Sequence, residues 1–217
     1  MREQIIESIK KEKIIVIVRG IKKENITDLA EAMYAGGIRL LELTYSADGS
    51  VTDEETASCI QMLSKHFEGR MHIGAGTVIC PEQVELTKNA GGKFIISPDT
   101  NEQVIKKTRE LGLVSMPGAL TPTEIQAAHT YGADFVKLFP VSNLGADYVK
   151  AVSAPLSHIS ILAVGGISLD NMSEYLRAGV SGFGLGSNIV NKRMVENGDF
   201  EGITKLAQSY VSKVREG

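Results

Sequence analysis

Lys137 stands inside an otherwise apolar run, Phe135-Val136-Lys137-Leu138-Phe139. Side chains alternate faces along a strand, so Phe135, Lys137 and Phe139 share one face, and Val136 and Leu138 the other. An amine held between aromatic rings is poorly hydrated, and desolvation lowers its pKa toward the neutral form that attacks a ketone. Such a lysine needs a proton carrier within reach. Glu42 shares a face of a second apolar run with Leu40 and Thr44, and a carboxylate there can serve carbinolamine, imine and enamine stages. Arg19, on a face with Ile15 and Ile17, would lower the lysine's pKa further by its charge. Two plainer readings compete: Lys137 snorkels to solvent along its strand, and Glu42 pairs structurally with Arg19 or Arg39.

Two glycine-containing stretches add an anion-binding chemistry. They are Val164-Gly165-Gly166-Ile167-Ser168 and Gly184-Leu185-Gly186-Ser187-Asn188. Glycine lets a backbone approach a ligand closely, and Ser187 offers a hydroxyl at a helix start. One glycine pair alone is best explained by turn geometry, whereas two at adjacent strand ends point to phosphate.

These residues need a frame that brings distant segments to one place. Short apolar runs at 14–18, 38–43, 71–74, 94–97, 113–116, 135–138, 159–164 and 182–185 alternate with amphipathic stretches at 25–35, 52–67, 81–90, 101–111, 121–131, 144–152, 169–178 and 200–215. Residues 1–11 read as an extra helix in front. Gly36-Gly37, Gly91-Gly92, Gly112, Gly132 and Gly179 follow helices as C-terminal stops, and Pro81, Pro122, Thr100 and Asp170 mark starts. Eight strand-helix units within 217 residues predict a (β/α)8 TIM barrel with an extra N-terminal helix, one domain over 1–217. An open doubly wound sheet is the rival, since alternation alone does not show closure. In a barrel, Arg19, Glu42, Thr77, Pro98, Lys137, Gly165-Gly166 and Gly186-Ser187 all fall at or just beyond C-terminal strand ends, where such folds do their chemistry.

Composition narrows the partners. A net charge of −3 offers no basic field for nucleic acid, so an anionic small molecule must be drawn in by a local site. Residues 14–18 are far too few to span a membrane. Cys59 and Cys80 fit neither a disulfide framework nor a metal motif, which points to a reducing cytoplasm. His66, His72, His129 and His158 lack metal-ligand spacing; His72 is expected to face the helices or cap a carbonyl. Lys192-Arg193 reads as solvated surface, and Asp53-Glu54-Glu55 as a helix start.

The chain resembles the 2-keto-3-deoxy-6-phosphogluconate (KDPG) aldolases and the related 4-hydroxy-2-oxoglutarate (KHG) and 6-phosphogalactonate-type aldolases. The resemblance is carried by Val18-Arg19-Gly20, Leu41-Glu42-Leu43-Thr44, Gly74-Ala75-Gly76-Thr77-Val78, Ile96-Ser97-Pro98, Met116-Pro117-Gly118, Val136-Lys137-Leu138-Phe139-Pro140, Gly165-Gly166-Ile167 and Gly186-Ser187. It implies a class I retro-aldol lyase with no metal or other cofactor, assembled as a homotrimer and acting on a phosphorylated 2-keto acid. Lys137 matches the Schiff-base lysine and Glu42 the general acid/base. Thr77, Pro98 and Phe139 match the pocket around the pyruvate portion, and Gly165, Gly166, Gly186 and Ser187 the phosphate end. Two positions depart from the pattern. Ser46 stands where many members carry an arginine for the substrate carboxylate, a charge that Arg19 is expected to supply. Val164 replaces a threonine near the substrate hydroxyls, leaving gluconate and galactonate configurations both open. A KHG aldolase and a non-catalytic sugar-phosphate sensor are the competing functions; the sensor would need neither Lys137 nor Glu42.

Overall fold

The computed structural model describes residues 2–216. Its strands are β1 (Ile14–Val18), β2 (Leu40–Thr44), β3 (His72–Gly76), β4 (Phe94–Ile96), β5 (Val114–Met116), β6 (Gly118–Ala119), β7 (Val136–Leu138), β8 (Ile161–Val164) and β9 (Gly182–Leu185). All pairings are parallel, in the order β5-β4-β3-β2-β1-β9-β8-β7-β6. The two ends of that order, β5 and β6, are consecutive pieces of one extended segment broken at Pro117. Pro117 has no N–H to give, yet its carbonyl accepts from Lys137 N at 2.8 Å, while Ser97 N donates to Met116 O at 3.3 Å. The segment thus bonds β4 on one side and β7 on the other. The sheet closes, and the expected eight-stranded barrel is observed with its fifth strand recorded in two parts.

Strand alternation sorts the apolar residues into two cores. Ile15, Leu40, Phe94, Ile96, Val114, Met116, Phe135 and Leu162 fill the barrel interior. The opposite parity, including Val16, Leu41, Ile73, Ile95, Val136, Leu138, Ala163 and Phe183, packs under the helices. Each fully buried ring or branched side chain contributes about 1.5–3 kcal/mol of burial free energy. Helix α1 (Arg2–Glu12) joins the interior cluster through Ile5, Ile6 and Ile9, whose spacing puts them on one face. The extra N-terminal helix therefore plugs the barrel floor. Met1, which the expected helix includes, lies outside the described residues.

The plug is tied down by charge. Asp134, its side chain 5% exposed, accepts hydrogen bonds from Arg2, from Arg109 at 2.8 Å and from Ser115 N at 2.9 Å. Asp134→Ala is expected to cost roughly 2 kcal/mol, less than a fully buried pair because both guanidiniums keep some water. Thermal unfolding should show a Tm lower by roughly 4–8 °C.

The surrounding helices are α2 (Lys23–Ala35), α3 (Asp53–His66), α4 (Pro81–Asn89), α5 (Glu102–Glu110), α6 (Pro122–Tyr131), α7 (Gly145–Ser153), α8 (Met172–Arg177), α9 (Lys192–Glu196) and α10 (Phe200–Arg215). Capping boxes start α3 (Thr52 with Glu55) and α6 (Thr121 with Glu124), each satisfying donors at both ends of the first turn. Two expected start signals shift by one residue. Asn101, not Thr100, caps α5, and the Thr100 hydroxyl donates to Gly118 O at 2.7 Å instead. Asn171, not Asp170, precedes α8, its side chain accepting from Ser168 N at 2.9 Å. His72 pairs in register with inward-facing Leu40, so it lies on the interior face near the floor and not toward the helices. Burial, with the Lys93 charge, lowers its pKa. Among the described residues no helix is long and apolar enough to cross a membrane.

Candidate active site

A cavity of about 1060 Å³ opens at the C-terminal ends of the strands, and all ten residues singled out from the sequence line it: Arg19, Glu42, Thr77, Pro98, Lys137, Phe139, Gly165, Gly166, Gly186 and Ser187. The barrel brings them together because each sits within two residues of the C-terminal end of its strand.

Glu42 and Lys137 are both buried, at 2% and 7% exposure, and neither has an ion-pair partner among the described residues. Both point inward because they share parity with Leu40 and Phe135. Lys137 does not snorkel: its Nζ stays 4.7 Å from the centroid of the Phe139 ring. Burial lowers its pKa; Glu42 opposes that shift and Arg19 adds to it. Glu42 is not the structural ion pair of the plainer reading, since Arg39 donates to the carbonyls of Tyr34 and Ile38 and stacks on the Tyr34 ring. The Oε2 atom of Glu42 is buried without a hydrogen-bond partner. Burial pushes the Glu42 carboxyl up from 4.5 to about 7, against the pull of Lys137 and Arg19. A buried polar atom left unpaired costs about 1–3 kcal/mol, a cost that makes sense where a ligand supplies the partner.

Gly76 makes room for this carboxylate. A Cβ at position 76 would run into the Glu42 carboxyl group, and one at Gly74 into the Phe94 ring. Gly76→Ala is expected to displace Glu42 and cut turnover about 10²-fold or more, the scale of a misplaced acid/base group. Steady-state kinetics checks this, and turnover within twofold of the parent would show that Glu42 tolerates the shift.

At the rim, Arg19 donates to the Thr77 hydroxyl at 2.9 Å. Thr77 adopts φ +56°, a left-handed conformation that a β-branched residue pays about 1–3 kcal/mol to hold. The strain fixes the hydroxyl that anchors Arg19 over the cavity. Ser46 instead turns into its own loop, bonding Asp48 and, at 2.8 Å, Ser50. Those contacts, the Ser46 hydroxyl first, hold the Asp48 carboxyl down at about 2.

The glycine loops are stapled to each other. The Asn188 side-chain amide donates to Ile167 O at 2.6 Å, and that of Asn171 to Gly166 O at 2.9 Å. Gly165 and Gly166 both take positive φ, +96° and +73°. With those carbonyls engaged, the backbone N–H groups of Gly166, Ser187 and Asn188 have no backbone acceptor among the described residues. All three residues line the cavity, and unpaired backbone N–H groups are the donors that backbone anion sites use. Val164 also faces the cavity, in space that Gly184 leaves open.

Sequence reasoning missed part of the lining: Ala47, Ile79, Asn191, Lys192 and Arg193. Lys192 and Arg193 are exposed, as expected, but they form the cavity rim and begin α9, a helix that sequence reasoning did not anticipate. The missed signal was Asn191, a good N-cap, whose side chain accepts from Met194 N at 3.2 Å.

Fold and site together define a parallel-barrel enzyme with a buried amine–carboxylate couple beneath a mouth lined by glycine loops and basic side chains. The model of the KDPG and KHG aldolase family matches residues 5–206. A probable 2-dehydro-3-deoxy-6-phosphogalactonate aldolase of Rhizobium meliloti (strain 1021) is 36% identical over 182 residues, covering 83% of each chain. Among solved structures, one described as native KDPGal superposes with a TM-score of 0.84 at 31% identity, covering 94% of both chains. A KDPG aldolase from Legionella pneumophila, solved with pyruvate captured at low pH as a covalent carbinolamine intermediate, gives a TM-score of 0.84 at 27% identity over 96% of this chain and 97% of that one. The chain belongs to the KDPG and KHG aldolase family.

Proposed function

We propose that the protein is a class I aldolase that cleaves KDPG, or its galactonate epimer, to pyruvate and glyceraldehyde 3-phosphate through an imine on Lys137. The observation that carries this reading is the burial of one amine and one carboxylate, each shifted toward its neutral form, in the same cavity. Neutral Lys137 adds to C2 of the keto acid, and protonated Glu42 assists loss of the resulting hydroxyl as water. The cationic imine takes up the electron pair of the C3–C4 bond as the C4 hydroxyl gives its proton to the carboxylate. Glyceraldehyde 3-phosphate departs, the enamine is protonated at C3, and water releases pyruvate and free Lys137. No metal or other cofactor enters these steps.

Arg19, held by Thr77, is the cation for the C1 carboxylate, since Ser46 cannot supply that charge. Thr77, Pro98 and Phe139 border the pyruvate portion, while Gly165, Gly166, Gly186 and Ser187 receive the phosphate. The similarity to a galactonate-type relative and to the KDPGal structure supports including the galactonate epimer. The KHG reading differs at one end, where a second carboxylate replaces the phosphorylated tail and glyoxylate is released. The homotrimer and cytoplasmic location that accompany this family resemblance are part of the same reading. Molecular mass in solution tests the first.

Release of pyruvate from phosphorylated and unphosphorylated 2-keto-3-deoxy acids tests the substrate. A kcat/KM that favours the phosphorylated acid is expected; equal efficiency without phosphate would contradict the role of the glycine loops.

A further inference from the structure

The cavity is lined by four basic side chains, Arg19, Lys137, Lys192 and Arg193, and one carboxyl group, Glu42, although the whole chain carries a net charge of −3. Arg19 and Lys137 face the reacting end of the substrate. Lys192 and Arg193 have no ion-pair partner among the described residues.

Lys192 is also aimed. Its stem leaves the first turn of α9 and carries Nζ across to the loop after β1, where a Cβ built on Gly20 would lie 2.8 Å from it. Gly20, at φ +63°, leaves that space open. The base of the arm is fixed relative to the glycine loops, because Asn191 caps α9 and Asn188 holds the neighbouring loop to Ile167. Lys192 thus lines the same cavity as Gly166, Ser187 and Asn188, whose N–H groups have no backbone acceptor among the described residues.

We propose that Lys192, with Arg193 next to it, is a specificity-determining residue that closes over the terminal phosphate of the substrate and selects phosphorylated over unphosphorylated acids. The proposal rests on the aldolase function argued above and adds a charge to the backbone N–H groups there. A phosphate dianion meeting a cation and backbone N–H groups together is held by charge-assisted bonds, stronger than those from neutral donors alone. Partial exposure of the arm makes the contribution sensitive to salt.

The test compares the parent with Lys192→Gln, Arg193→Gln and the double variant, all changes at exposed positions. The ratio of kcat/KM for phosphorylated over unphosphorylated acid is expected to fall about tenfold in Lys192→Gln, mainly through KM. Lys192→Arg should recover most of that ratio, and Lys213→Gln, the same charge change on α10, should leave it as in the parent. A double variant with the parent's ratio would overturn the proposal.

Failure of the aldolase reading is separable. If the parent neither forms a pyruvate adduct nor turns over either acid, calorimetric binding of inorganic phosphate decides alone. Binding about tenfold weaker in the double variant supports the arm; equal binding, or none by the parent, overturns it.

Discussion

Lys137→Met is expected to remove at least about 10⁴-fold of the aldolase activity while leaving the barrel folded and no less stable. The loss follows from chemistry: without Nζ there is no covalent bond to C2 and no electron sink, and loss of a nucleophile costs several orders of magnitude. The stability expectation follows from burial. Lys137 is 7% exposed, makes no ion pair, and shares its strand face with Phe135 of the interior cluster. Replacing a desolvated amine that has no ion-pair partner by an apolar side chain of similar length removes the cost of burying a polar group. Kinetics and thermal unfolding on the same sample check both halves. An inactive protein with a Tm several degrees lower would mean that the lysine also holds the structure, which the geometry gives no reason to expect.

Glu42→Gln should keep pyruvate binding but slow turnover by about 10²–10⁴-fold, because the amide fills the same space and carries no transferable proton. It should also change how stability depends on pH. The Glu42 carboxyl titrates at about 7 in the folded protein against 4.5 for a free group. Between those values the folded state keeps a proton that the unfolded state has released. The associated stability is complete below pH 4.5 and is lost as pH rises through about 7. The shift corresponds to a loss on the order of 3 kcal/mol across that window. The variant has no such group, so its stability should fall less over the same range, and denaturant unfolding at pH 5 and pH 8 measures the difference. The limb of the kcat/KM profile near neutral pH should vanish with it, a limb that belongs to the Glu42–Lys137 couple and not to either group alone.

The inward-facing chemistry was legible because strand alternation is a local rule. Phe135 anchors the parity of Lys137, and Leu40 that of Glu42, so burial on one face followed directly. His72 was misplaced for want of such an anchor: its face-mates are Gly74 and Gly76, which carry no side chain to reveal the interior. The role of Ile5, Ile6 and Ile9 as a floor was equally hidden. Their spacing marks an apolar helix face, but which surface that face covers is a tertiary fact. Helix α9 is five residues long, too short to display a period, so Lys192 and Arg193 looked like ordinary surface. The room that Gly76 leaves for Glu42 depends on two neighbouring strands in register, Glu42 opposite Gly74 and Thr44 opposite Gly76, which no single segment records.

The central claim is a covalent bond between Lys137 and a 2-keto acid. Incubating the protein with pyruvate, reducing with borohydride and mapping the modified peptide by mass spectrometry addresses it most directly. A single reduced adduct on Lys137, absent in Lys137→Met, is the predicted result; no adduct, or an adduct on another lysine, would contradict the account.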